Sequence, residues 1–277
     1  VGFAVPYVVE EVFGVSKAVI GVVHLPPLPG SPSYSGEDLN AIVERALRDA
    51  KALEEGGVDG VLIENFWDLP YRKPPVEPST VACMSVVALE ISRSTSLPLG
   101  VNVLRNDALA SIAIAKAVGG RFIRVNVYAE VAVTDQGVIE PVAHQVQVAK
   151  KLYYAGGVKV FADVNVKHAS PLATRPLEDV AEEAVSRGLA DAVIVTGPKT
   201  GEPPRLDDLH RVKARVKESS VIVGSGCTPE NAADLLACAD AVIVGTYFKE
   251  GGMKSPVSKV KVERLVSKVR EIRSKLK

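Results

Sequence analysis

A short valine-rich run, a polar or glycine-bearing loop and a stretch of helical period recur eight times along the 277 residues, and no other feature constrains the fold as tightly. The apolar runs lie at 18–24, 58–64, 97–103, 121–127, 158–164, 191–195, 221–223 and 241–244. Helical stretches follow them at 38–55, 79–94, 107–118, 140–154, 176–187, 206–217, 229–237 and 255–275. The first stops at Gly56-Gly57, since glycine accepts the left-handed backbone that ends many helices. Eight strand–helix pairs spaced by roughly 30 residues are what a closed (β/α)8 barrel needs. Residues 1–17 are then left as an N-terminal segment that caps the barrel floor or packs outside it. An open doubly wound sheet shares the βαβ alternation and is the alternative architecture.

The composition agrees with a parallel sheet. The chain has 46 valines, 47% hydrophobic residues and only 5% aromatic ones, which suits strands buried on both faces rather than an alternating sandwich. At about 150 residues per domain the length also admits two domains. No linker divides the chain, however, and the proline clusters at 26–32, 74–78 and 203–204 all fall in strand-to-helix loops. The expectation is one TIM-barrel domain over 1–277. An insert at 131–139 alternates around Asp135-Gln136-Gly137 and reads as a small hairpin over the barrel mouth.

Charge and cysteine content narrow the partners. Lys plus Arg is 33 and Asp plus Glu is 33, so there is no positive field to hold DNA or RNA. Three cysteines without CxxC spacing exclude a disulfide scaffold. The apolar N-terminus has no basic flank and is interrupted by Glu10 and Glu11, so neither a signal peptide nor a transmembrane helix is expected, and the chain reads as cytoplasmic. Low Met and Cys content suits a thermophile, although the charged fraction of 24% is ordinary. A homo-oligomer is compatible with this composition.

In such a barrel the functional groups stand where strands end. The polar residues there are His24, then Glu64 and Asn65, Asn102 and Arg105, Asn126, then Asp163, Asn165, Lys167 and His168, and Thr196. A lone amide or carboxylate in that position more often caps a helix or pins a loop. Their concentration at one rim argues for a site. After the last two strands come Gly224-Ser225-Gly226 and Gly245-Thr246, with Gly197 in the loop before them. These turns leave backbone N–H groups free, and Thr228-Pro229 is expected to cap and open the next helix, so the pair reads as a phosphate cradle. Glycines serving only tight turns are the plainer alternative. The loop 196–201 lacks Walker spacing, which rejects P-loop nucleotide hydrolysis.

The densest reactive run is 163–168. At period two, Asp163, Asn165 and Lys167 point together into the mouth. A lysine in a dry barrel can lose its charge and attack a carbonyl, with Asp163, His24 and His168 moving protons and Glu64 and Asn102 orienting hydroxyls. The plain alternative is an Asp163–Lys167 ion pair at the rim. His24, Glu64, Asp163 and His168 also suit a divalent metal if they converge, although no local ligand pair supports this. Cys227 reads as a small buried side chain, Cys83 and Cys238 as helix-core residues, and Phe66 and Trp67 as an apolar wall or lid.

Several longer strings carry a resemblance: Gly21-Val22-Val23-His24-Leu25-Pro26-Pro27, Ile63-Glu64-Asn65-Phe66, Gly100-Val101-Asn102-Val103-Leu104-Arg105-Asn106-Asp107, Phe122-Ile123-Arg124-Val125-Asn126, Thr134-Asp135-Gln136-Gly137, Ala162-Asp163 with Val166-Lys167-His168, and Val195-Thr196-Gly197. Over about 20–249 the chain resembles the BtpA/SgcQ family, departing from its usual pattern at Trp67 and Asn165. The resemblance implies a TIM barrel of the ribulose-phosphate-binding type. It brings no assigned catalytic residues: one branch is linked to photosystem I accumulation at the thylakoid membrane, the other to sugar metabolism. Two functions are therefore expected in competition. One is an enzyme acting on a small phosphorylated metabolite, a sugar phosphate or nucleotide-like compound, by lyase, isomerase or hydrolase chemistry. The other is a non-catalytic assembly or stability factor at a membrane face, for which the Lys- and Arg-rich stretch 254–277 is the only support and the last barrel helix the simpler explanation.

Overall fold

In the computed structural model, which describes residues 7–276, each valine-rich run forms a strand and each helical stretch a helix. The chain runs α1 (Val8–Phe13), β1 (Ala18–His24), α2 (Leu39–Gly56), β2 (Gly60–Glu64), α3 (Pro78–Ser94), β3 (Leu99–Asn102), α4 (Ala108–Val118) and β4 (Phe122–Val125). It continues with β5 (Ala132–Thr134), β6 (Gly137–Ile139), α5 (Ala143–Leu152), β7 (Lys159–Val164), β8 (Ala169–Pro171), α6 (Leu177–Ser186) and β9 (Ala192–Val195). It ends with α7 (Leu206–Arg215), β10 (Ser220–Val223), α8 (Ala232–Cys238), β11 (Ala241–Val244) and α9 (Lys259–Ser274). Eight strands close in the order β1-β11-β10-β9-β7-β4-β3-β2. β1 pairs in parallel with both β2 and β11, which rules out the open sheet and makes the fold a TIM barrel.

Strand periodicity explains why the runs are apolar throughout. Alternate residues point inward, and Ile20, Val22, Leu62, Phe122, Phe161, Ile194, Ile222 and Ile243 form one buried cluster inside the barrel. Their neighbours Val19, Val23, Val61, Ile63, Val101, Ile123, Val160, Val193, Val221 and Val242 belong to the larger core with the helices. Burial on both faces removes any polar alternation. Phe122 and Phe161 stack at 4.8 Å between ring centroids, and Phe13 of α1 meets Phe122 edge-on at 5.5 Å. Val9, Val12 and Phe13 thus make α1 a plug in the barrel floor. Residues 1–6 of the expected N-terminal segment, and Lys277, lie outside the described residues.

Two local features differ from expectation. The hairpin β5–β6 gains a third, antiparallel strand, β8, from the loop after β7. Three residues ending in proline carry no periodic signal, so the sequence does not announce it. Thr228-Pro229 does not open a helix: α8 begins at Ala232. The Asn231 side chain instead accepts from the Thr228 N–H at 2.8 Å and donates to the Gly226 carbonyl at 2.9 Å. These side-chain bonds give the backbone an alternative to helix. Among the described residues no helix is long and apolar enough to cross a membrane.

Candidate functional site

The inward rhythm of the strands does not stop at the apolar cluster. One inward position further along each strand stand His24 on β1, Glu64 on β2, Asn102 on β3, Arg124 on β4 and Asp163 on β7, all buried. The same alternation that fills the barrel therefore places a charged layer on top of it. Arg124 is the centre of that layer. Its Nη2 lies 3.1 Å from Asp163 Oδ1 and its Nη1 3.3 Å from Glu64 Oε1. Asn102 Nδ2 donates to Glu64 Oε1 at 2.9 Å, and Asn126 Nδ2 to Asp163 Oδ2 at 2.7 Å. Burial opposes the Arg124 charge, but Asp163 and Glu64 outweigh it and hold the guanidinium above its usual pKa. Arg124 was not among the candidates from sequence. Its signal was there: an arginine inside an apolar strand must be paired if it is buried.

Because Asp163 is engaged by Arg124 and Asn126, the Asp163–Lys167 ion pair does not form. Period two also fails after Val164, where β7 ends and Asn165 takes φ +58°. Asn165 is consequently exposed and lies outside the cleft, while Lys167 lines it. Among the described residues the Lys167 ammonium has no carboxylate or carbonyl at bonding distance, its near acids being engaged elsewhere. Burial, aided by Arg124, lowers its pKa to about 8. His24 is buried against Phe66 at 4.3 Å between ring centroids, with Nε2 3.8 Å from Glu64 Oε2 and Nδ1 unpartnered. Burial, then Lys249 and Lys167, brings it down to about 3, so the ring is neutral. His168 sits on the exposed rim, its Nε2 3.0 Å from Thr200 Oγ1. Of the four residues considered for a metal, Glu64 and Asp163 are both engaged by Arg124, His24 lies beside Glu64 and His168 stands apart on the rim, and among the described residues no three His, Cys, Asp or Glu side chains gather as a metal site.

The cleft above this layer has two lobes. A cavity of about 170 Å³ is lined by Gly224–Thr228, Gly245–Tyr247 and His24, and one of about 410 Å³ by residues of the loops after β2, β3, β4 and β7. Glu64, Phe66, Arg124, Lys167 and Thr200 line both and form the waist. In the small lobe the backbone N–H groups of Ser225, Gly226, Gly245 and Thr246 find no protein acceptor among the described residues. The Ser225 hydroxyl is not free: it donates to the Glu202 carbonyl at 2.7 Å and accepts from the Gly197 N–H at 3.1 Å. Gly197 therefore serves to hold its loop and does not line the lobe. Gly226 takes φ +72° and packs so tightly that a Cβ would stand 2.1 Å from Pro203 N; at Gly245 a Cβ would stand 2.6 Å from His24 Cε1. Burial pushes the Cys227 thiol up to about 12, so it stays protonated.

The large lobe has apolar walls, Phe66, Leu69, Tyr71 and Leu104, and polar groups from Asn102, Arg105, Asn126, Asp135 and His168. Arg105 Nη2 donates to the Lys167 carbonyl at 2.8 Å, while its Nε and the Asn126 Oδ1 are buried without partners. Two other candidates face elsewhere. Asn65 is bonded at both ends, to Asp68 and to the Leu104 backbone, and Thr196 bonds the Asn165 carbonyl at 3.4 Å. Trp67 stands behind Phe66, with Lys254 Nζ 5.0 Å from its ring centre.

The chain is similar to known proteins over nearly its whole length. A protein of Thermococcus kodakarensis of no stated function is 48% identical over 258 residues, covering 93% of this chain and 97% of that one. The photosystem I biogenesis protein BtpA of Synechocystis is 40% identical over 262 residues, 94% and 91%. The sgc region protein SgcQ of Escherichia coli is 34% identical over 270 residues, 95% and 98%. Among solved structures, thiamine phosphate pyrophosphorylase from Pyrococcus furiosus superposes with a TM-score of 0.56 at 16% identity, over 96% and 98% of the two chains. Orotidine 5′-phosphate decarboxylase from Pyrococcus horikoshii gives 0.55 at 15%, over 91% and 99%. These two share the barrel fold. The model of the BtpA family matches residues 15–271, and with the relatives above it shows that the chain belongs to the BtpA family.

Proposed function

We propose that this chain is an enzyme that binds a small phosphorylated metabolite, with the phosphate in the small lobe and the reacting end at the waist. The observation that carries this reading is the pairing of unbonded N–H groups on the turns after β10 and β11 with an unpaired amine, Lys167, across one continuous cleft. Backbone donors suit a phosphate without needing net positive charge on the whole protein. The shared fold of the two phosphometabolite enzymes named above agrees with this reading.

The waist suits proton transfer or carbonyl chemistry. A lysine with a pKa of about 8 is in part a neutral amine near pH 7, able to take a proton or to add to a carbonyl carbon with loss of water. Glu64, fixed by Asn102 and Arg124, supplies a carboxylate beside it, and Asn126 Oδ1 an acceptor for a hydroxyl. Lyase and isomerase chemistry use these groups most directly. Calorimetric titration with phosphosugars and nucleotides, each against its dephosphorylated counterpart, tests the phosphate seat: binding that depends on the phosphate supports it, and equal binding rejects it. For a substrate found this way, Lys167→Met abolishes turnover; retained turnover removes Lys167 from the chemistry.

The name of the Synechocystis relative favours a second reading, an assembly factor at a membrane face. Four cations of α9 are instead paired within the chain, Lys259 with Glu55, Arg264 with Glu230, Lys268 with Glu271 and Arg273 with Asp59, whereas Lys261 and Arg270 meet no carboxylate among the described residues. Pelleting with anionic liposomes at physiological salt would support the second reading.

A further inference from the structure

Arg105 is the one guanidinium of the cleft without a carboxylate. Arg124, its neighbour, is neutralised by Glu64 and Asp163, whereas Arg105 makes no ion pair among the described residues. It is only 5% exposed, and its one hydrogen bond, from Nη2, goes to the neutral carbonyl of Lys167. Its Nε is buried with no partner. Burial pulls its pKa below the usual arginine value, and the more distant charges of Asp163 and Asp135 offset this only in part. A buried, unpaired guanidinium costs stability unless something neutralises it. Because the side chain lines the large lobe, that partner can come from a ligand.

We infer that the cleft takes a ligand with two anionic ends: a phosphate on the turns of the small lobe and a carboxylate on Arg105 in the large one. The inference rests on the phosphate reading of the small lobe and adds the second group. A carboxylate fits better than a second phosphate. One unpaired guanidinium matches a single negative charge in fork geometry. The walls around it, Phe66, Leu69, Tyr71 and Leu104, are apolar, the nearby Asp135 repels a second negative charge, and the other cation of the lobe, Lys167, lies at the waist that both lobes share. The acceptor Asn126 Oδ1 in the same lobe asks for a hydroxyl or N–H donor on the ligand frame between the two ends.

Three probes of equal carbon length isolate the second group: 6-phosphogluconate, glucitol 6-phosphate, in which CH₂OH replaces the carboxylate, and glucitol 1,6-bisphosphate. They are titrated into the wild type, Arg105→Gln and Arg105→Lys, with inorganic phosphate as a fourth ligand. The wild type is expected to bind 6-phosphogluconate about tenfold or more tighter than glucitol 6-phosphate, the scale of one charge-assisted contact. Arg105→Gln removes that difference, Arg105→Lys keeps part of it, and inorganic phosphate binds all three proteins alike. Equal binding of the first two probes overturns the inference, as does a carboxylate preference that survives Arg105→Gln or a preference for the bisphosphate. Loss of phosphate binding in the wild type is a different failure, that of the phosphate seat itself.

Discussion

Arg124 shows how one residue organises the cleft floor. It is buried between two carboxylates, and removing it leaves Glu64 and Asp163 without their ion-pair partner. Arg124→Met is therefore expected to cost about 3–5 kcal/mol, the cost of breaking a buried pair, as read by urea unfolding. A loss below ~1 kcal/mol would show that water screens the pair. Lys167 gives a pH signature. With its pKa at about 8, a step through the neutral amine rises about tenfold per pH unit in acid and levels off above the pKa in the pH profile of turnover. His24 gives another, with the opposite readout. Its folded pKa of about 3 lies below the ordinary 6.5, so the unfolded chain takes up the proton first as pH falls. The native state loses stability from pH 6.5 down towards 3, and His24→Gln makes the slope of unfolding free energy against pH shallower over that window. His24 and Glu64 were legible in the sequence because they close apolar runs, and Lys167 because it follows one. Arg124 was missed because it lies within one, and Asn165 and Asn65 were misplaced because a left-handed turn and a loop bond decide where they point.

At the level of elements, the barrel strands were legible to within a few residues and the loops much less so. Strands have period and length; the start of α8 is set instead by the Asn231 side chain folding back on Thr228 and Gly226. The turn after β11 is held open by the lack of a side chain at Gly245. Gly245→Ala places a methyl 2.6 Å from His24 Cε1, and the ring, wedged on Phe66, has little room to yield. The substitution is expected to weaken phosphate binding about tenfold, the equivalent of one or two hydrogen bonds, with the far-ultraviolet spectrum unchanged. At the other end of the barrel α1 contributes packing. Phe13→Ala removes an aromatic from the stack with Phe122 and Phe161 and is expected to cost about 3–5 kcal/mol in thermal or urea unfolding, with phosphate affinity unaltered. A change in both would tie the plug to the site.

For the molecule as a whole, the eightfold recurrence was enough to derive a closed barrel, because each unit can bury its strand only between two others. The shape of the cleft was not derivable. It depends on where seven loops meet, on the three-stranded flap of β5, β6 and β8 that carries Asp135 to the large lobe, and on the Ser225 hydroxyl holding Gly197 and the loop after β9 in place. The zero net charge leaves room for one phosphate held by backbone groups. The most direct test is a titration of ¹⁵N-labelled protein with inorganic phosphate, following the backbone amides. The amides of Ser225, Gly226, Gly245 and Thr246 are expected to shift together along one saturable curve, with those of the outer helices unmoved. Shifts that are absent, linear in phosphate, or scattered over the surface would contradict a phosphate seat at these turns.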